Sequence, residues 1–415
     1  MKPIKLFVIL LFLCLTTGLK AQQFKVGAAC RNITPNQLLP ISGGGRGGGP
    51  PAEGIKGDLF VRVMVFEKGN TRVAVVGIDN LGWPARLGDR SRELIKGIPP
   101  QNVLIGASHT HSAPSAYGYP DPSGNNAGAE YLDWCVKIVA EAVNEAVSKL
   151  EPAALKTAVG DAKGKIAYNY YGNILYDPRC GVIQAISASG ANKGKVIATL
   201  VNYAIHPEIL GPKRKTISPD LCGPLYDRIE SKAGGMALFM NGAQGGMITA
   251  DCRDENGKDV NTWEECIRIG NLLADEALRI ISDAPVNENP DLFCTSREVT
   301  FPVTSDMMRV RSGNDDTKSI KTTVNLVNIG KVQALTIPGE ALPNIGYYIK
   351  RNMKTDQPFL FGLTNDAFGY ILTKVDFNSF ERYSYVSRTS LGEMTGEIYI
   401  EEALKLVQES PSAQQ

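Results

Sequence analysis

Residues 102–115 read NVLIGASHTHSAPS, an apolar run that stops at Ala107 and is followed by two histidines one residue apart. A short apolar run closed by small and polar residues fits a buried strand over 102–107. On an extended continuation, residues two apart point to the same side, so His109 and His111 face one cavity and Thr110 faces away. The chain has three histidines in 415 residues, and the third, His206, lies in NYAIHPE. There another apolar strand ends and Pro207 stops further pairing. Two strand ends therefore deliver every imidazole. A single histidine is as readily a hydrogen-bonded core residue, but α/β sheets bind ligands beyond the carboxyl ends of their strands, so all three together point to one site.

Outward from that stretch, apolar and amphipathic segments interleave. Leu59–Phe66 and Arg72–Ile78 form a hairpin around the turn KGNT, and residues 129–150 carry apolar positions at spacings of three and four, the mark of an amphipathic helix. Strands follow at 181–187 and 196–204, a helix at 222–232, a strand at 236–240 and a helix at 262–282. A polar loop at 304–318 leads to strands at 321–328 and 331–337, a helix at 342–353, a strand at 358–363 and a closing helix at 391–408. This alternation predicts one large α/β domain over residues 22–415, with a mixed central β-sheet flanked by helices.

The first 21 residues read as a signal peptide. Lys2 and Lys5 precede an apolar core from Ile4 to Leu15, and small and polar residues run on to Ala21. The protein is therefore expected to be exported, periplasmic or secreted; Leu13 before Cys14 makes a poor lipoprotein signal. No other stretch approaches the roughly 18 apolar residues of a transmembrane helix. The chain has 44 Lys+Arg and 43 Asp+Glu; removing three signal lysines leaves 41 against 43, a balance of −2 that gives nucleic acid no foothold. Seven cysteines remain, an odd number, with Cys252 and Cys266 as the first candidate pair, and no CxxC that would suggest a thiolate zinc finger.

The run GGGRGGGPP at 43–51 formally contains GxGxxG, but Pro50 and Pro51 follow where a dinucleotide fold needs a helix. It is either a surface loop or one that offers Arg46 to an anionic or polar group. Two more strand ends carry chemistry. QALTIPGEAL places Glu340 after a strand and a Pro–Gly turn, and FLFGLTNDAFGYILT carries Asn365, Asp366 and Tyr370 beyond another. Imidazoles with a carboxylate are what a catalytic zinc takes, and the spacing is not HExxH.

ASHTHSAP at 107–114, VGAACRNITP at 26–35, GDLFVRVMVFE at 57–67, IPGE at 337–340 and NDAFGYILT at 365–373 resemble the neutral ceramidase family, the non-lysosomal N-acylsphingosine amidohydrolases, over about residues 25–400. The resemblance implies a ceramidase-like catalytic domain whose zinc is held by His109, His206, Glu340 and Tyr370, with His111 facing the substrate carbonyl. It implies amide hydrolysis by metal-activated water, with His111 stabilising the oxyanion or passing a proton to the leaving amine. Ligand imidazoles must be neutral, so activity is expected to fall below about pH 6.

One stretch departs from the pattern. Where the family reads NxGDVSP, this chain reads NGAQGGMITAD at 241–251, so Asp becomes Gly246 and the carbonyl-contacting Ser becomes Ile248. Isoleucine can neither donate a hydrogen bond nor act as a nucleophile, and Thr249 would point the other way. No C-terminal β-sandwich follows the helix at 391–408. The substrate is therefore expected to be another amide, or an ester, of a small or lipid-like molecule. The competing expectation is a non-catalytic lipid- or glycan-binding protein that keeps zinc as a structural prop. Arg46, Asp79, Asp220, Gln244 and Asn365 are the remaining candidates for substrate contact. Asp58, Arg62, Asp79 and Asp220 could equally cap strand ends or orient a ligating histidine.

Overall fold

The computed structural model describes residues 23–42, 51–117, 126–211, 213, 215–311 and 317–413, so the signal segment 1–21 and Arg46 lie outside the described residues. Among the described residues the largest sheet has eight strands. Their order is Met236–Asn241, Val196–Tyr203, Arg179–Ser187, Glu151–Asp161, Lys25–Asn32, Phe60–Lys68, Thr71–Ile78 and Val103–Ala107. The outermost pair at each edge is parallel and the five pairs between are antiparallel, which makes the sheet mixed.

The strands are apolar on both faces, and their two-residue period sorts side chains into separate cores. In Thr71–Ile78, Val73 and Val75 enter an inner core while Ala74, Val76 and Ile78 face outward. In Met236–Asn241, Leu238 and Met240 enter the same inner core and Ala237 and Phe239 face a different outer layer. The sheet therefore folds across itself. Gly77 shows how closely its two ends approach: a Cβ there would stand 2.9 Å from the Phe239 carbonyl oxygen. A four-stranded sheet, ordered Leu292–Pro302, Ser319–Ile329, Val332–Thr336 and Gln357–Phe361, adds Val327, Val332, Phe359 and Phe361 to the inner core.

Helices cover the outer faces. Ala127–Ser148 buries Leu132, Val136, Val139, Val143 and Ala146, a three-and-four stripe, beside helix Ala85–Leu94. Each fully buried valine or leucine of such a stripe is worth about 1.5–3 kcal/mol. Helices Cys222–Ala233 and Trp263–Ser282 cover the second face, and Pro343–Asn352 and Thr395–Glu409 cover the smaller sheet. The result is the expected mixed α/β domain with sheets flanked by helices. None of the described helices is long and apolar enough to cross a membrane.

Several elements exceed the sequence reading. Glu151–Asp161 is a strand, although EPAALKTAVGD carries weak strand propensity; it is held by neighbours on both sides. Strands Lys25–Asn32 and Leu292–Pro302 are likewise added, as is helix Ala85–Leu94, which buries only Leu87, Gly88 and Ser91 and so shows almost no apolar stripe. The supposed loop at 304–318 contains a short helix, Asp306–Arg311. The Cys252–Cys266 pairing does not form: all seven described cysteines are free, and the Cys266 thiol turns to the Asp220 carboxylate.

Candidate metal centre

Strand Val103–Ala107 runs parallel to Thr71–Ile78, and beyond both ends the backbones stay paired: Ser108 N–H donates to the Ile78 carbonyl and His109 N–H to that of Asn80. The chain then turns sharply. His109 has φ +73°, a left-handed conformation that costs a non-glycine residue about 1–2 kcal/mol. The two histidines thus share one side because of a turn at His109, where an extended segment was expected. Thr110 faces away as expected, its hydroxyl donating to the Ser218 carbonyl at 2.7 Å.

His206 follows strand Val196–Tyr203, and a single side chain sets its distance from His109. The Asn241 carboxamide donates to the carbonyls of Ser108 and Ile205, the residues preceding His109 and His206, at 3.0 and 2.7 Å. Its oxygen accepts from the N–H groups of Ile205 and Gly242. The chain after His206 also meets the chain after His109, where His111 N–H donates to the Pro207 carbonyl. The three rings pack edge to face, with centroids 4.7, 4.8 and 5.6 Å apart.

The proton count of this cluster is informative. His109 Nδ1 stands 2.5 Å from the Leu81 carbonyl oxygen and His206 Nδ1 stands 2.6 Å from that of Ile248. A carbonyl only accepts, so each Nδ1 carries a proton and each ring turns its Nε2 toward the same space. Both Nε2 atoms face Glu340 Oε2, at 3.5 Å from His109 and 3.2 Å from His206. That oxygen is buried, and among the described residues no group other than these two rings approaches it as a donor. Two imidazole nitrogens and a carboxylate oxygen converge on one buried space, a donor set that a divalent cation would satisfy.

The spacing fits a metal. Ligands about 2.0–2.2 Å from a tetrahedral ion stand about 3.3 Å apart, and the separations of His206 and His109 from Glu340 are 3.2 and 3.5 Å. His109, His111 and His206 form a group that could hold a metal ion. Burial alone would raise the Glu340 carboxyl, but the two imidazoles hold it far below its ordinary value. Burial alone would lower His206, but Glu340, Glu208 and the Ile248 carbonyl raise it.

Glu340 belongs to a two-residue strand paired in parallel with Tyr370–Ile371, which sets Glu340 beside Tyr370. The phenol is buried and raised well above its ordinary value by that burial and by the Glu340 and Glu208 carboxylates; its hydroxyl donates to the Met247 thioether at 3.7 Å. A thioether is a weak acceptor. The His109 and His206 side chains are 4% exposed, Glu340 is 11% and His111 is 17%, so His111 is the imidazole an incoming molecule meets first. Burial lowers its pKa to about 4, leaving it neutral near pH 7.

Ile248 is fully buried, and its carbonyl is what orients His206. Thr249, on the opposite side of that strand, gives its hydroxyl to Glu208. Glu208 escaped the sequence reading, although HPE sets a carboxylate two residues beyond the ligand histidine; its Oε2 lies 3.4 Å from His111 Nδ1. Asn241 escaped it too, since a strand-end asparagine gives no signal in one sequence. Gln244 is buried with neither carboxamide atom bonded, beside a glycine whose N–H donates to the Ala341 carbonyl.

Three expected substrate contacts are committed elsewhere. Asp79, pushed up to about 6 by burial, accepts from Phe60 N–H and the Tyr226 hydroxyl and lies beside Arg62, whose guanidinium stacks on Tyr226 and pairs with Glu230. Asp220, also raised to about 6 by burial, takes the N–H groups of Leu210 and Leu221 and so ties down the loop after His206. Asn365 is saturated by Arg92, Ile105 N–H, Asn325 and the Thr323 carbonyl. Asp58 accepts from Thr34, a capping role.

No family model and no curated protein matches the sequence. Solved structures do, two of them ceramidases. One is the neutral ceramidase from Pseudomonas aeruginosa, at TM-score 0.76 and 16% identity over 95% of this chain and 76% of that one. The other is a ceramidase complexed with C2, at TM-score 0.75 and 16% identity over 94% of this chain and 76% of that one. Joined to the geometry above, this likeness gives the chain its place: it has the neutral ceramidase fold.

Proposed function

We propose that this chain is an exported, zinc-dependent hydrolase that cleaves an amide bond, or an ester, of a small or lipid-like molecule other than ceramide. The observation that carries the reading is the convergence of the His109 and His206 Nε2 atoms on one oxygen of the buried Glu340 carboxylate. His109, His206 and Glu340 would hold the metal, with the Tyr370 phenol beside them. When bound there, zinc supplies a Lewis acid that polarises a carbonyl and acidifies water.

The chain's own groups do the rest. Leu81 and Ile248 carbonyls fix the ligand tautomers. His111, the more exposed imidazole, stabilises the developing oxyanion or passes a proton to the leaving amine. Ile248 fills the place of the family's serine with a buried side chain, which is why ceramide is not the proposed substrate. The same isoleucine favours the second reading, a binding protein for a lipid or glycan around a structural zinc.

The test is metal content together with turnover. The purified parent should hold about one zinc per chain, and His109→Ala should lose it; equal metal in both removes the site. The parent should then hydrolyse a member of a panel of N-acyl amides and simple esters. Silence across a metal-loaded panel would move the assignment to the binding protein.

A further inference from the structure

The four most exposed large apolar side chains among the described residues are Ile174 at 92%, Val375 at 77%, Tyr170 at 65% and Phe380 at 63%, and they fall in two short segments far apart in sequence. Scattered singly, such side chains mean little; gathered on one face, they mark contact with something apolar. The two segments meet. The rings of Tyr171 and Tyr383 have centroids 5.5 Å apart, and Arg382 Nη1 donates to the Tyr171 carbonyl at 3.2 Å. Each segment is also tied down from behind. In the first, the Asn169 carboxamide accepts from Tyr171 N–H and donates to the Leu175 carbonyl, and Tyr170 N–H donates to the Met247 carbonyl. In the second, Asp376 accepts from the Thr373 hydroxyl at 2.6 Å and the Asn344 carboxamide at 2.7 Å, and Asn378 N–H donates to the Ser387 hydroxyl. A bonded backbone therefore holds the apolar tips outward. The patch also reaches the candidate metal centre, since the exposed Tyr385 ring has its centroid 5.8 Å from that of Tyr370.

We infer that this patch seats the protein on a lipid surface of zwitterionic headgroups, with Ile174, Val375 and Phe380 entering the acyl boundary and the Tyr170 ring at headgroup level. Charge selects that partner. Residues 170–175 carry no charged side chain, and residues 374–383 carry Lys374 and Arg382 against Asp376 and Glu381, two of each sign. A face with no net charge gains little from an anionic membrane and matches a headgroup layer that carries both signs. A ring with a hydroxyl at its tip suits a boundary that is apolar on one side and wet on the other. The aliphatic tips argue against a glycan, because Ile174 and Val375 offer a sugar neither a hydrogen bond nor an aromatic face. Seated this way, the protein turns the side bearing Tyr385 and Tyr370 toward the lipid, so a lipid-like molecule has a short path to the metal. That consequence rests on the hydrolase reading; the seat itself does not.

Vesicle flotation tests the seat without turnover. The purified parent should float with phosphatidylcholine vesicles, and its partitioning should change little between low and high salt and should not rise with added phosphatidylserine. Ile174→Ser and Phe380→Ser should each weaken partitioning about 10-fold, and the double variant about 100-fold. The thermal midpoint should stay unchanged, because both side chains stand in solvent in the free protein. Equal partitioning of the parent and the double variant overturns the inference, as does a parent that stays in solution beside phosphatidylcholine vesicles. Binding that needs phosphatidylserine and vanishes in high salt also overturns it, by assigning the contact to charge. A parent dimer in analytical ultracentrifugation that the double variant abolishes would make the face a contact between two copies, and glycan-array binding lost in the double variant would make it a sugar platform; either result overturns the lipid seat. If vesicle binding holds and no amide or ester is cleaved, the hydrolase reading fails alone, whereas turnover without vesicle binding removes this inference alone.

Discussion

At the scale of single residues, burial and partner decide what each ionisable group does. Asp366 shows the opposite case to Glu340. Its carboxyl accepts the N–H groups of Ala85 and Ala367, so it caps helix Ala85–Leu94 from a distant loop, and burial pushes it up to about 6. A carboxyl raised in the folded state contributes stability that is full below its unfolded value near 3.8 and is lost as pH rises through about 6. Asparagine keeps the accepting oxygen and never ionises. Relative to the parent, Asp366→Asn should therefore gain about 1 kcal/mol between pH 5 and pH 7.5. Urea melts of both proteins at the two pH values measure it; a constant difference would refute the assignment.

The candidate ligands could be named one by one because histidine is rare here and each of its positions follows an apolar run. Glu340 was legible from the turn before it. What could not be read was commitment. Asp79, Asp220 and Asn365 stand at strand ends as the ligands do, but their partners come from elements distant in sequence, such as Tyr226 for Asp79 and Arg92 for Asn365. The polarity of a strand end is local, and whether that polarity is already satisfied is not.

At the scale of elements, two short segments carry the carboxylate. Strand Glu340–Ala341 is held by Tyr370–Ile371 on one side and by the backbone of Gly245 on the other. A Cβ at Gly245 would stand 2.2 Å from the Glu340 carbonyl oxygen, with no side chain between them to yield. Gly245→Ala should displace Glu340 while the sheets stay intact: metal affinity should fall about 10-fold or more, with far-ultraviolet circular dichroism unchanged. Equilibrium dialysis against zinc measures the first, and undiminished affinity would show that this contact gives way.

Element type was readable wherever periodicity was strong, as in Ala127–Ser148 with its apolar stripe and Thr71–Ile78 with its β-branched run. It failed where tertiary partners override propensity. Glu151–Asp161 is a strand because Lys25–Asn32 and Arg179–Ser187 flank it, and nothing in its alanines announces that. The two-residue strand carrying Glu340 is likewise too short for any pattern to mark.

At the scale of the whole molecule, the candidate metal centre joins segments that are far apart in the chain: the turns after Val103–Ala107 and Val196–Tyr203, and the short strand at Glu340. A ligand that binds only this closed arrangement stabilises it by mass action, by about 4 kcal/mol at a free concentration 1,000 times its Kd. Chelation should therefore lower the thermal midpoint of the parent and added zinc should restore it, while His109→Ala should respond to neither. Calorimetry of the two proteins, with and without chelator, checks this.

The Asn241 carboxamide gives this closure a particular character. One side chain a few bonds long spans the carbonyls that precede two imidazoles. The gap between the rings is thus tied to one nitrogen atom shared by two carbonyls, much as a single pin sets the jaws of a clamp. Any strain that pries the opposed margins of the great sheet apart must stretch one of those two bonds, so an ion held there would report how tightly the molecule is shut.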